Sequence, residues 1–128
     1  MPRVSTAFFG LGVLYVLCGM FWGMQMGESN DFAMAPAHAH LNLLGWVTMA
    51  LYGTFYALTR DSFSPRLAWI NFAFAALSVP VMIPTLALYL RSADAGYIPV
   101  LVVGEVLAVA GMITFGISVI REWRRASA

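Results

Sequence analysis

HAHLNLLGWVTMALYGTFYAL, residues 38–58, decides the fold class of this chain. The stretch contains no Asp, Glu, Lys or Arg, and a helix needs about 20 predominantly apolar residues to cross the hydrocarbon layer of a bilayer. His38 and His40, the chain's two histidines, stand together at its head. Three further runs are equally long and apolar. The expectation is an all-α integral membrane protein, a four-transmembrane-helix up-down bundle with helices at about 4–26, 37–59, 66–90 and 97–121, forming a single transmembrane domain over residues 1–128.

Composition agrees. Hydrophobic residues make up 61% of the chain and charged residues 10%, with a mean hydropathy of +0.80. A soluble domain carries roughly a quarter charged residues to wet its surface. A transmembrane β-barrel would show alternating segments of about 10 residues, and none is visible. The net charge of +1, with no basic tract beyond a short one near Arg124, argues against a nucleic-acid partner. The first span is longer than the roughly 7–15 apolar residues of a signal peptide, and the Ala33-Met34-Ala35 triplet is followed by Pro36, so a retained helix is expected. Cys18, alone, is expected to be a small buried apolar residue.

The chain has no lysine, so orientation follows from arginine. Arg3, Arg60, Arg66, Arg121, Arg124 and Arg125 fall on one side and Arg91 alone on the other. The positive-inside rule puts both termini and the 59–66 loop in the cytoplasm of a bacterial-type inner (plasma) membrane. The 27–37 connection, with Glu28 and Asp31, and the turn at 91–96 then lie outside, and the histidines lie near the outer face. Gly19, Gly23 and Gly27 form a doubled GxxxG on the first span, where another helix of this chain or of a second copy can approach closely. Pro80 and Pro84 predict a kink in the third span.

Polar groups gather in the outer third. His38 and His40 occupy the first turns of the second span, Met20, Met24, Met26 and Met34 lie near the outer surface, and Glu105 stands roughly 10 Å deep at about 1.5 Å per residue. An intramembrane carboxyl is costly and is paired or functional. Glu105 is therefore a bundle-gluing hydrogen-bonded acid, a histidine orienter or a proton-relay group. The inner half holds less, chiefly Thr54, Tyr56 and Asn71.

Two helical positions are about 200° apart, so the histidines face opposite ways and one helical turn cannot offer both to one metal ion. Below His38 run Asn42, Gly45, Met49, Tyr52, Gly53 and Tyr56, a face suited to the bundle interior. Below His40 run Leu44, Val47, Leu51, Thr54 and Leu58, a face suited to lipid, a greasy cofactor or a neighbouring subunit.

HLNLLGWVTMALYGTFY, from His40 onward, resembles the second transmembrane helix of haem–copper oxidase subunit I, a superfamily that includes nitric oxide reductases. APAHAHLNLLGW also resembles a family of small four-helix proteins described as oxidase-subunit-I-like. The resemblance covers about the first two helices. It implies that His40, in the His-x-Asn motif completed by Asn42, is an axial ligand of haem b near the outer face. It supports no oxygen or nitric oxide reduction, because the chain has no histidine after His40 for a binuclear centre. The second axial ligand would be His38, a methionine such as Met20, Met24 or Met34, or His40 of a second copy in a homo-oligomer.

Three functions follow. The first is a b-type haem protein for electron transfer or gas/redox sensing, its site formed by His40, His38, Asn42 and Glu105. The second is an outward-facing copper site using His38, His40, Cys18 and the methionines, all soft or borderline ligands. The third is a cofactor-free accessory or assembly subunit of a respiratory-chain complex, with its histidines as interface groups or a pH-sensitive pair.

Overall fold

The computed structural model describes residues 1–127 and is helical almost throughout. Helix α1 spans Arg3–Ser29. The second span runs from Ala35 to Leu58 in three continuous pieces: α2 (Ala35–Asn42), a widened π-helical stretch (Leu43–Thr48) and α3 (Met49–Leu58). Helix α4 spans Pro65–Ser92 and α5 spans Ile98–Ala126, preceded by a short 3-10 turn at Ala95–Tyr97. Four helices are thus long and apolar enough to cross a membrane, consistent with a multi-pass membrane protein. Each extends a few residues beyond one or both of its expected ends.

Proline and a few polar caps set the boundaries. Pro36, Pro65 and Pro99 stand in the first turns of α2, α4 and α5, where a missing N–H costs nothing. Helix α1 ends at Asn30 in the left-handed region (φ 53°), which asparagine tolerates. Helix α4 ends the same way at Ala93 (φ 54°). The Asp94 carboxylate then accepts from Gly96 N at 2.8 Å and starts the next turn.

Helix α1 packs along the second span, and α4 packs along α5, with α4 also touching α1 and α2. The core at the end bearing the chain termini is aromatic. Phe8 lies edge-on to Tyr52 and Phe72 (centroids 5.6 and 5.1 Å) and stacks on Tyr56, while Phe115 reaches across from α5 to Tyr52 and Phe55. Glycine lets α4 and α5 come together. A Cβ on Gly104 would sit 2.8–2.9 Å from Met82 Cβ and backbone, so any side chain there would push the two helices apart.

Buried polar groups tie the spans to one another. Asn71 Nδ2 donates to Gly111 O at 2.7 Å, and the Tyr56 and Ser118 hydroxyls pair at 3.1 Å. The half of the bundle expected to be poor in polar groups therefore carries the interhelical glue. Helix α4 continues through Pro80 and Pro84 without interruption. Pro80 has no N–H for the Ala76 carbonyl, and the Tyr15 hydroxyl of α1 donates to that carbonyl instead, at 2.9 Å.

This substitution of one donor for another gives a test. Tyr15→Phe should lower the unfolding free energy in detergent by about 1–3 kcal/mol, because a part-buried carbonyl loses its donor. In a Pro80→Ala background, where a backbone N–H is restored, the same change should cost little. Equal losses in both backgrounds would show that the hydroxyl does not serve the proline gap.

Candidate functional site at the histidine end

The two histidines take up opposite environments on α2. His38 faces α1 and is half-buried; His40 is exposed on the far side. The faces below them follow the helical period except at Leu44, which was expected to face outward but packs against the Leu41, Val79 and Ile83 cluster, leaving Leu43 exposed instead. Met49 and Tyr56 are fully buried, whereas Leu51 and Leu58 are 62% and 81% exposed.

His38 and Asn42 lie one helical turn apart and meet Gly23 and Gly19, also one turn apart on the antiparallel α1. A Cβ on Gly19 would stand 2.1 Å from Asn42 Oδ1, and one on Gly23 would stand 3.0 Å from His38 Cε1. The glycine face of α1 is therefore a seat for a second-span side-chain pair of the same chain. Gly27 takes no part, having open space around its Cβ position. Asn42 Nδ2 donates to His38 Nε2 at 3.0 Å, and Trp22 lies edge-on to the imidazole (centroids 6.2 Å apart, planes at 88°). A nitrogen that accepts carries no proton, so the neutral His38 ring holds its proton on Nδ1. That Nδ1 and Asn42 Oδ1 are both buried without a hydrogen-bond partner among the described residues.

His40 is set differently. Its Nδ1 lies 2.7 Å from Pro36 O, one turn back. A carbonyl can only accept, so Nδ1 carries a proton, and in the neutral ring Nε2 presents a bare lone pair. That ring stands on an exposed apolar surface with Leu43, Val47 and Leu51 below it. The π-helical stretch begins directly after Asn42. Such widened turns are frequent at functional sites, and nothing in the composition of LLGWVT announces one.

Comparison with protein-family models, with curated proteins and with solved structures finds no match.

Other expected members of the site lie elsewhere. Glu105 does not join the histidines. Gly104 beside it must face α4, and one residue further on is about 100° round the helix. Glu105 consequently projects from the exposed side of α5 among Val106, Val109, Ala110 and Ile113, making no side-chain hydrogen bond or ion pair among the described residues. Cys18, expected to be buried, is exposed for the same geometric reason: it is the neighbour of the packed Gly19. The four methionines do not share one surface, since Met20 and Met24 are exposed while Met26 and Met34 are buried. Among the described residues, no three of His, Cys, Asp and Glu come together in a group able to hold a metal ion.

The α1 seat is testable through its own coupling. Gly19→Ala should cost about 1–3 kcal/mol of stability, as overpacking of a tight contact does. Combined with Asn42→Ala, which removes the obstructing amide, Gly19→Ala should cost at least 1 kcal/mol less, read as the coupling energy of a double-mutant cycle. Strict additivity would mean that the two residues do not meet.

Proposed function

We propose that this chain is a membrane-embedded b-type haem-binding protein with His40 as axial ligand. The observation that carries the reading is the Nδ1–H donation from His40 to Pro36 O, with Nε2 left bare on an exposed apolar face. A ligating histidine commonly donates its other ring proton to a carbonyl or carboxylate, which fixes the tautomer and raises the basicity of the free nitrogen. The aliphatic side chains below His40 supply a surface against which a porphyrin can lie. The residues present thus fit the group that the His-x-Asn resemblance implies. Bound there, haem would supply one-electron transfer or gas sensing.

His40 of a second copy is the favoured opposite ligand. His38 has its Nε2 engaged by Asn42 and faces α1, and Met34 is buried, so neither shares the surface of His40. An isologous pair would place the exposed His40 faces against each other and give the chain a reason to form a dimer. Asn42 then acts on His40 indirectly, by holding His38 inward and so fixing the rotation of α2. The arginine distribution supports the accompanying placement, in a bacterial-type inner membrane with both termini cytoplasmic and His40 near the outer face.

Protein purified after expression with excess haem should show a Soret band and a sharpened α band on dithionite reduction. His40→Ala should abolish both and shift the mass in detergent from dimer to monomer, whereas His38→Gln should keep the Soret band. A colourless protein, or a spectrum unchanged by His40→Ala, would overturn the proposal and leave the histidine end as a packing and assembly surface.

A further inference from the structure

Two adjoining cavities open at the histidine end, and neither involves His40. The first, of about 210 Å³, is polar: Gln25, Ser29, Asp31 and Arg91 contribute to its wall, together with Trp22 and Met34. The second, of about 340 Å³, shares Trp22, Met34 and Arg91 and continues along Pro84, Ala87 and Leu88. These last three and Arg91 are spaced i, i+3, i+4 and i+7, so they form a single stripe down α4. The stripe runs for roughly 10 Å at about 1.5 Å per residue.

The charges in the first cavity are arranged unusually. Arg91 and Asp31 line the same space, yet they do not bridge; the sole ion pair among the described residues is Arg60 with Asp61, on the connection before α4. Asp31 is held in place through one oxygen, Oδ1, which accepts from Ala33 N at 3.0 Å. A guanidinium and a fixed carboxylate thus face a common volume beside two neutral polar side chains, and an apolar channel leads away from the guanidinium.

We propose that the two cavities are one binding site for a zwitterionic phospholipid of the phosphoethanolamine class. Its phosphate sits on Arg91, its primary ammonium on Asp31, and one acyl chain lies along Pro84, Ala87 and Leu88. The pattern of charges selects this headgroup. A purely anionic headgroup has a phosphate for Arg91 but no cation for Asp31, and a cationic amphiphile meets Arg91. A choline headgroup keeps both charges but has no N–H to donate to the carboxylate. Arg91 offers the planar fork that matches phosphate oxygens. Trp22, part-buried between the two cavities, places an amphipathic ring where headgroup and acyl chain join. The source is the bilayer itself, because Pro84 and Leu88 are exposed on a helix long and apolar enough to span it. The site is independent of the haem reading and would stand if that reading failed.

The test uses the purified full chain, delipidated and then offered equal amounts of phosphatidylethanolamine, phosphatidylglycerol and phosphatidylcholine with matched acyl chains. Retained lipid is read by native mass spectrometry. Phosphatidylethanolamine should be retained about tenfold over the other two, the order expected for one charge-assisted hydrogen bond. Asp31→Asn should erase that preference while leaving phosphate-dependent retention, and Arg91→Gln should lower retention of all three lipids. Equal retention of the three lipids, a preference for phosphatidylglycerol, or a preference that survives both substitutions would overturn the proposal. Both residues are exposed, so the variants should fold, and an unchanged melting temperature would verify it.

Discussion

The close approach of α1 to the second span is the contact on which the histidine end depends. Gly19 and Gly23 offer no side chain, so the Asn42 amide and the His38 ring lie directly against the α1 backbone. Such close seats, together with a few interhelical hydrogen bonds, join the helices to one another. Once His38 is seated, the rotation of α2 is set. His40, about 200° away, has nowhere to go but outward.

The same economy of partners appears deeper in the bundle. Pro80 leaves a carbonyl without its helical donor and Tyr15 of another helix supplies one; Asn71 reaches the Gly111 carbonyl; Tyr56 meets Ser118. Each bond joins two of the long helices and gives a partner to a polar group inside the bundle. Glu105 takes no part in these bonds; it is a carboxyl on the exposed face of α5 with valines and an isoleucine around it. Its position follows from Gly104, whose missing side chain is required for the approach of α4.

Much of this is legible in the sequence. The four spans, the inward face from Asn42 to Tyr56 and the outward face from Val47 to Leu58 follow from length and from the helical period, whereas Leu44, expected outward, packs against Leu41, Val79 and Ile83. The GxxxG on α1 pointed to a close helix contact. Other features had no local signal. The π-helical stretch at Leu43–Thr48 has an unremarkable apolar composition. The donor to Ala76 comes from a residue 61 positions away. Depth along the helix placed Glu105 level with the histidines, but depth says nothing about azimuth, and the azimuth of α5 is dictated by Gly104 and Gly111 packing on α4.

The sequence by itself determined how many helices are long and apolar enough to span, and which face of the second one is buried. Those properties depend on residue counts against a fixed hydrocarbon thickness and on a 3.6-residue period, both local. Only the tertiary structure decided which partner fills the glycine seat, that the Tyr15 hydroxyl reaches the Ala76 carbonyl, and that Asp31 and Arg91 line one cavity without pairing. These are relations between side chains set by how the helices dock and turn, and a linear pattern carries no record of that geometry.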